Sequence, residues 1–286
     1  MSGTAIAVVL FSALLHALWN LFNKGSGDRW GFFLGQGIVL ACVYGPVALW
    51  LSIGVTLSKL SWLWISLSAI THVFYAIYLL KAYDAGDLSV AYPLSRTAPV
   101  LVAGWDLMTT RGVLTAAGVS GTLLAGFGVL LLQLPAVRSQ GLRAVWFAPV
   151  TRYALTTALF VAGFTIIDKQ GVQVTPPFLY LYLLSLGESL LLALWLGSRS
   201  LARVRAEFRS NGRSMLFSGV VGAFGYLLIL WALTASPASY VLGLRQCSIV
   251  FGVLLGRFVL GEGETRYRLV GAGVIAAGSA MIAIFG

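Results

Sequence analysis

The sequence is poor in charge and poorer still in acidic residues. Only 10% of its 286 residues are charged, and only 9 are aspartate or glutamate, whereas soluble domains carry about 25% charged residues. Hydrophobic residues make up 59% of the chain, and the mean hydropathy is +0.90. This balance excludes an ordinary soluble protein and predicts a polytopic membrane protein without a separate soluble domain.

Cysteines and catalytic motifs are also scarce. The two cysteines, Cys42 and Cys247, both fall inside apolar segments, which predicts inert packing rather than a disulfide framework or a metal site. The sequence has no HExxH, GxSxG or nucleotide-binding motif and no cluster of acids. These absences argue against an enzyme and against an ATP-driven pump, and we expect neither a metal nor a cofactor.

Basic residues outnumber acidic ones, which gives a net charge of +10 at pH 7. In a soluble protein such an excess would suggest nucleic acid as a partner. Here the basic residues gather in short connections between apolar runs, which is the pattern that orients membrane proteins. We therefore predict that these charges face the lipid bilayer and not a nucleic acid.

Long hydrophobic runs occupy most of the chain. A spanning helix needs about 20 mostly apolar residues, and ten segments meet this requirement. They are residues 4–24, 31–54, 61–83, 88–110, 113–133, 149–169, 177–197, 214–234, 238–260 and 267–285. No basic residue precedes the first run, so we expect a spanning helix there rather than a cleaved signal. The longest polar connection, 198–213, is predicted as a loop beside anionic lipid.

The basic residues separate into two groups when the connections are assigned alternately to the two sides of the membrane. One side holds fourteen of them: Lys24, Arg29, Lys81, Arg138, Arg143, Arg152, Arg199, Arg203, Arg205, Arg209, Arg213, Arg257, Arg266 and Arg268. The other side holds Lys59, Arg111 and Lys169. The positive-inside rule makes the first side cytoplasmic. We therefore predict a multi-pass protein of the cell membrane, a bacterial inner membrane, with both termini outside.

Two arginines lie inside predicted spanning segments. Arg96 falls in 88–110 and Arg245 falls in 238–260. A charge at that depth costs roughly 3 kcal/mol on insertion scales, so an intramembrane arginine predicts a functional site. The planar guanidinium matches carboxylate or phosphonate oxygens, which makes both residues candidates for binding a substrate.

The two arginine segments occupy matching places in two halves of the chain. Lys24 ends the first predicted segment and Lys169 ends the sixth, and the tripeptide AGV recurs at 117–119 and 272–274. We predict an all-α membrane protein with ten transmembrane helices, arranged as two inverted five-helix repeats around a central cavity. The repeats cover residues 1–134 and 149–286, with a linker at 135–148. Inverted repeats place substrate sites near the bilayer midplane.

Three sequence patterns point to a family. They are HALWN at 16–20 followed by Lys24, YPLSR at 92–96 followed by Pro99, and the pair Leu244-Arg245. In order and placement they resemble the drug/metabolite transporter superfamily, most closely its ten-helix EamA-like branch, over nearly the whole chain. The resemblance implies a helical basket that works by alternating access, with relatives that export amino acids, metabolites or drugs. Relatives often carry an acidic residue directly after the second arginine, where this chain has Gln246.

Two segments carry a polar stripe. His16, Trp19 and Asn20 share one face of the first segment, since residues three and four apart are neighbours on a helix. His72, Tyr75 and Tyr78 form a polar aromatic face on the third. Both stripes are predicted to line a substrate cavity. The alternatives are polar contacts between helices for the first stripe and interior packing for the second.

Further substrate-binding candidates lie beside the arginines and in the seventh segment. Tyr92 precedes Arg96 by one turn, and Gln246 follows Arg245. Glu188 is the carboxylate that we place deepest in the membrane. Burial favours its neutral form and a nearby arginine favours its charged form, so it is a proton-coupling group or the fixed ion-pair partner of an arginine, and the remaining alternative is a polar contact unrelated to transport.

Other residues are candidates for coupling or gating. His16 and His72 are alternative proton carriers, because imidazole titrates near neutral pH. Lys24, Asp168 and Lys169 lie at the ends of predicted segments. We place Asp168 and Lys169 at the membrane interface, and all three residues are gate candidates.

These features predict a secondary active transporter of a small polar metabolite. Two deep arginines against one glutamate favour an anionic or zwitterionic substrate such as an amino acid or an organic acid. A cationic drug exporter and a lipid-handling, flippase-like protein are the alternatives. A coupling proton fits the histidines and the glutamate, and both a monomer and a homodimer remain open.

Overall fold

The computed structural model describes residues 1–23, 26–85, 94–109, 114–260 and 266–286. Within these ranges every regular element is a helix and no strand occurs. The prediction of an all-helical chain is therefore confirmed for the described residues.

The first half of the chain contains five long or medium helices. They are α1 (Gly3–Asn23), α2 (Arg29–Ser52), α3 (Lys59–Ala85), α4 (Ala98–Thr109) and α5 (Ala116–Leu131). Their starts follow ordinary capping chemistry: the Asp28 side chain accepts the amide hydrogens of Trp30 and Gly31, and Thr115 accepts that of Gly118. The predicted boundaries of these segments agree with the helices to within a few residues where both are described.

The segment predicted as a linker, 135–148, is itself helical. It contains α6 (Leu134–Gln140) and α7 (Leu142–Phe147). The two helices meet at Gly141, whose φ of 85° lies in the left-handed region, where a residue without a Cβ carries no steric penalty. The limits of the two predicted repeats on either side of this segment remain predictions.

The second half contains the remaining helices. They are α8 (Pro149–Val174), α9 (Pro177–Leu196), α10 (Ser200–Ala235), α11 (Ala238–Arg245), α12 (Cys247–Leu260) and α13 (Arg266–Phe285). Pro149 and Pro177 stand at the starts of their helices, where the missing amide hydrogen has no intrahelical partner in any case.

The predicted loop at 198–213 is wrong. A short 3₁₀ turn, Gly197–Arg199, leads directly into α10, which continues for 36 residues. Its backbone leaves helical geometry at Asn211 (φ −131°, ψ 24°). The polar composition of this segment suggested a loop, but its packing against the start of α2 holds it in a helix.

Among the described residues, seven stretches are long and apolar enough to cross a membrane by length and composition. They are Gly3–Phe22, Arg29–Ser52, Lys59–Ala85, Pro149–Val174, Pro177–Ala235, Ala238–Leu255 and Arg266–Phe285. The fifth stretch contains both α9 and α10, and two shorter apolar helices, α4 and α5, accompany them. The chain therefore has the character of a membrane protein, while ten crossings and an inverted repeat stay predictions.

Close packing joins helices that are distant in sequence. On α5 and α13, Gly121 and Gly278 bring the two backbones together: a Cβ on Gly278 would lie 2.5 Å from the carbonyl oxygen of Gly121. Small residues permit this approach, as in many membrane helix pairs. The main apolar core, with Tyr180, Leu230 and Leu233 fully buried, lies where α8, α9 and α10 meet α11.

Candidate substrate cavity

A cavity of about 180 Å³ opens between the long helices. Its walls come from α1, α2, α3, α8, α9 and α10, together with the chain around residues 95–96 and the end of α11. The polar and aromatic residues among them are His16, Trp19, Phe33, Gln36, His72, Tyr75, Ser95, Arg96, Phe164, Ser185, Glu188, Ser189, Ser218, Tyr226 and Arg245. Seven residues predicted from the sequence to bind substrate are thus brought together at one place.

Both cavity arginines lie at interruptions between helices rather than within continuous helices. Arg96 stands in a turn just before α4, and Arg245 is the last residue of the short helix α11. The predicted continuous segments at 88–110 and 238–260 are therefore broken at the arginines, although residues 86–93 lie outside the described part. Broken helices supply backbone polar groups at membrane depth only where protein or a cavity satisfies them.

The two interruptions contact each other through Gln246. Its side-chain Nε2 donates a hydrogen bond to the carbonyl oxygen of Arg96 over 2.6 Å. Gln246 is 3% exposed and does not line the cavity. It therefore has an observed role in joining the two breaks, while direct contact with a substrate remains only a prediction.

On one side of the cavity the arginines surround His16. The guanidinium of Arg96 donates to His16 Nε2, since guanidinium has no acceptor and the imidazole nitrogen must accept. The His16 ring stacks on Trp19 with centroids 5.2 Å apart, and Trp19 Nε1 donates to Gln36 Oε1 at 2.9 Å. Arg245 also acts electrostatically on His16. We call His16, Arg96 and Arg245 the arginine side.

Short helix α11 is anchored at both ends. At its start, the amide of Ser239 donates to the buried carboxylate of Asp106 at 2.7 Å. At its end, the guanidinium carbon of Arg245 lies 5.5 Å from the centre of the Tyr226 ring, within the range of a cation–π interaction. A negative group at the start and a cation at the end of a helix both favour its dipole.

A second group of cavity residues is built around Glu188 of α9. Within the described part of the chain Glu188 makes no hydrogen bond and no ion pair, and its electrostatic neighbours are His72 and Asp168. The fixed ion pair with an arginine, one of the alternatives for Glu188, is therefore not formed. We call Glu188 and His72, with Ser185 and Ser189 beside them, the carboxylate side.

His72 is buried and held in one orientation. Its Nδ1 lies 2.9 Å from the carbonyl oxygen of Ser68, and because a carbonyl only accepts, Nδ1 carries the hydrogen. The ring stacks on Phe164 with centroids 4.0 Å apart. Its other nitrogen, Nε2, is thus the one available to exchange a proton.

Asp168 lies inside the bundle and not at the interface where the sequence placed it. It has no exposed surface, and its carboxylate accepts hydrogen bonds from Ser68 Oγ at 2.5 Å, from the Tyr180 hydroxyl at 2.8 Å and from the Tyr226 hydroxyl. Three hydroxyl donors stabilise a buried carboxylate that has no cation beside it. Its gating role remains a prediction.

Lys169, the neighbour of Asp168, is directed elsewhere. Its Nζ donates to the carbonyl oxygens of Leu233 at 2.6 Å and Ser236 at 3.0 Å, at the C-terminal end of α10. A cation is favourable there because the last carbonyls of a helix lack intrahelical partners.

Tyr226 is one of the cavity residues that the sequence analysis missed. It lines the cavity, and its hydroxyl donates a hydrogen bond to Asp168. Its ring lies under the guanidinium of Arg245 and packs edge-on against the His72 ring, with ring centroids 5.6 Å apart. It is a single tyrosine in an otherwise apolar run. Only the fold brings Asp168, 58 positions earlier, against its hydroxyl.

The remaining predicted residues lie away from the cavity or outside the described residues. Asn20 Nδ2 donates to the carbonyl of His16 in its own helix at 2.9 Å, and Tyr78 stacks on Phe160 at 5.6 Å. Neither lines the cavity. Lys24 and Tyr92 lie outside the described residues.

The fold and this cavity are those of a helical membrane protein whose central cavity has charged residues and aromatic walls. Comparison with known families gives one match. The EamA-like transporter family model matches residues 151–284, so the C-terminal half of the chain is similar to an EamA-like transporter domain. The placement in the drug/metabolite transporter superfamily is thereby confirmed, and the ten-helix branch remains a prediction.

A solved structure shares the fold over the whole chain. One crystal structure superposes with a TM-score of 0.74, covers 99% of this chain and 98% of its own, and is 15% identical. At that identity the likeness concerns the fold alone. No curated protein matches the sequence significantly.

Proposed function

We propose that the protein is a secondary active transporter that binds a small zwitterionic or anionic metabolite, such as an amino acid or an organic acid, in the central cavity. Alternating access of the cavity to the two sides of the membrane would carry the substrate across.

The observation that carries the proposal is that two arginines and one glutamate line the same cavity without an ion pair between Glu188 and either arginine in the described chain. A substrate carboxylate fits the arginine side, because guanidinium binds carboxylate oxygens in a bidentate way. A substrate ammonium fits Glu188, which no cation of the described chain neutralises.

Cavity size supports a small substrate. The volume of about 180 Å³ is several times that of a water molecule, about 30 Å³, and below the 300–1,000 Å³ that is typical of sites for drug-sized ligands. The aromatic rings of Trp19, Tyr75 and Phe164 offer apolar surface between the two charged sides.

Coupling to protons fits the carboxylate side. Glu188 has no fixed partner among the described residues, and His72 keeps Nε2 available while Nδ1 is engaged. Both groups line the same cavity as the substrate, so protonation and substrate binding would influence each other through charge. The helix interruptions at Arg96 and Arg245 are the places at which the two halves of the protein would move relative to each other.

A thermal-shift panel on the purified, detergent-solubilised protein tests the proposal. Amino acids, organic acids, phosphonates and quaternary cations are compared on wild type and Arg96→Ala. A ligand at a hundredfold excess over its Kd stabilises the native state by about 2.7 kcal/mol. We expect stabilisation by zwitterions or anions that is lost in Arg96→Ala, and stabilisation by quaternary cations alone would contradict the proposal.

A cationic drug is the second candidate substrate, and one observation favours it. Glu188 stands without an ion-pair partner in an aromatic-walled cavity, and such surroundings bind cations through charge and cation–π attraction. In the same panel this function predicts stabilisation by quaternary cations that is lost in Glu188→Gln and retained in Arg96→Ala.

A further inference from the structure

A basic helical surface lies outside the cavity, on the first third of α10. Residues 199–213 contain five arginines and one acid, Glu207. The acid is 4% exposed and accepts hydrogen bonds from the amides of Gly27 at 3.1 Å and Asp28 at 2.9 Å. The negative charge of this segment is thus turned inward, against the start of α2.

The inner face of the segment is fixed to the protein. Arg203 Nε lies 3.5 Å from Asp28 Oδ2, and the backbone of Arg203 would lie 2.8 Å from a Cβ on Gly31. Val204 packs in a cluster with Leu34 and Leu192. These contacts decide which residues face away from the protein.

The segment lies at the level of the membrane boundary. The cluster around Val204 is flanked by Trp30, whose ring lies 4.8 Å from that of Trp195, and Trp195 is half exposed. Tryptophan is enriched where hydrocarbon meets the lipid headgroups. The outer face of residues 200–211 therefore stands beside the headgroup layer and does not extend freely into water.

Two kinds of side chain meet on that outer face. Leu201 is 53% exposed and Phe208 is 55% exposed, and their offset of seven positions, about two helical turns, places both on one side of the helix. Arg205 and Arg209, both exposed, form the adjacent stripe four residues apart. A helix with apolar and basic residues side by side binds the membrane interface, and basic residues favour anionic lipid.

We propose that this face is a binding site for anionic phospholipid, in which Arg205 and Arg209 bind the headgroup phosphate and Leu201 and Phe208 contact the acyl chains. The guanidinium fork matches phosphate oxygens, and no acid on the outer face opposes them. The site is separate from the transport cavity, and it stands whatever the transported substrate is.

The test uses the full-length protein in detergent micelles mixed with phosphatidylglycerol or with phosphatidylcholine. Binding of each lipid is measured by native mass spectrometry, and the melting temperature is recorded with each lipid. Arg205→Gln/Arg209→Gln is compared with Arg203→Gln, which removes a charge from the same segment but from the face bound to Asp28. Free phosphate at the same concentration is a third arm.

We expect phosphatidylglycerol to bind and stabilise the wild type more than phosphatidylcholine, and its affinity to fall about 30-fold in the double variant, at roughly a factor of five per arginine. Arg203→Gln should keep the preference, and free phosphate should give no stabilisation because it lacks acyl chains. A double variant that keeps the wild-type preference, an equal loss in Arg203→Gln, or equal stabilisation by free phosphate would overturn the proposal.

A folding defect is separated from lost lipid binding by the phosphatidylcholine arm. The two arginines are exposed surface residues, so their replacement should leave the melting temperature in phosphatidylcholine unchanged. As a second probe, Phe208→Ala should weaken phosphatidylglycerol binding while both arginines remain. Unchanged binding in Phe208→Ala would contradict the role of the apolar pair.

Discussion

The two sides of the cavity satisfy their charges in different ways. On the arginine side, Arg96 contacts His16, and Arg245 lies over Tyr226. Both residues stand at helix interruptions that Gln246 joins. On the carboxylate side, Glu188 lies within a continuous helix and has no hydrogen bond or ion pair among the described residues.

This difference shows that the cavity does not neutralise itself. An ion pair between Glu188 and a cavity arginine would place opposite charges in direct contact inside the cavity. No such pair forms in the described chain, so a ligand with two opposite charges could contact an arginine and Glu188 at once. The charge of each side can also be removed by a separate mutation, so the contributions of the two sides to ligand binding can be measured one at a time.

The largest effect is expected from removing an arginine of the cavity. Arg245→Ala should weaken binding of a carboxylate ligand at least about 30-fold, since loss of one partner from a desolvated charge pair costs roughly 2–5 kcal/mol. Arg138→Ala is the matched control, because Arg138 also lies over a tyrosine ring, 5.1 Å from the centre of Tyr267, but away from the cavity. Calorimetric titration measures both, and equal losses would contradict a specific role for Arg245.

A smaller and more selective effect is expected on the other side. Glu188→Gln keeps the shape of the side chain and removes its charge, so an amino acid should bind about tenfold more weakly, or roughly 1.4 kcal/mol. The corresponding acid without an ammonium group should bind as it does to wild type. Titration with the two ligands checks this difference, and a parallel loss of both would show that Glu188 does not recognise the ammonium.

Two tyrosines allow a test of how the arginine side is supported. Tyr226 and Tyr180 both donate to Asp168, but only Tyr226 lines the cavity. Replacing either by phenylalanine should lower the free energy of unfolding by about 1.5–3 kcal/mol, the usual range for a hydrogen bond to a charged group. Only Tyr226→Phe should also weaken ligand binding, by several-fold.

Thermal unfolding and titration of the two tyrosine variants give both quantities. If Tyr180→Phe weakens binding as much as Tyr226→Phe, the hydroxyls act only through the stability of Asp168. If neither changes binding, the orientation of the Tyr226 ring does not depend on its hydrogen bond.

The smallest effect is expected at the link between the two helix interruptions. Gln246→Ala removes one hydrogen bond to the carbonyl of Arg96, which should lower the free energy of unfolding by about 1 kcal/mol. The charges of the cavity arginines and of Glu188 remain, so ligand affinity should fall by less than it does in the arginine variants. A loss of binding as large as that of Arg245→Ala would mean that the link itself positions the arginine side.

Much of the architecture and of the cavity follows from the sequence, because both depend on local pattern. Runs of apolar residues predicted the helices, and charged or aromatic residues inside those runs predicted His16, Arg96, Glu188 and Arg245 as cavity residues. A polar group at membrane depth must face protein or a cavity. The position of a polar residue inside an apolar run therefore predicts that its side chain faces the interior of the protein.

Other features depend on partners that are distant in the sequence. Asp168 looked interfacial because it precedes Lys169 at the end of a predicted segment, but its three hydroxyl donors come from α3, α9 and α10. The interruptions at Arg96 and Arg245 lie within apolar runs that continue on either side. The helix at 200–211 carries a loop-like composition and is stabilised by contacts with α2.

Substrate exchange in proteoliposomes tests the central claim most directly. Vesicles loaded with unlabelled amino acids are placed in a mixture of radiolabelled amino acids, and uptake is followed for wild type, Arg245→Ala, Glu188→Gln and Arg138→Ala. We expect rapid exchange by the wild type and by Arg138→Ala. Arg245→Ala should show no exchange above that of vesicles without protein, and Glu188→Gln should exchange more slowly than the wild type. Exchange by Arg245→Ala at the wild-type rate would contradict the assignment of this cavity as the substrate site.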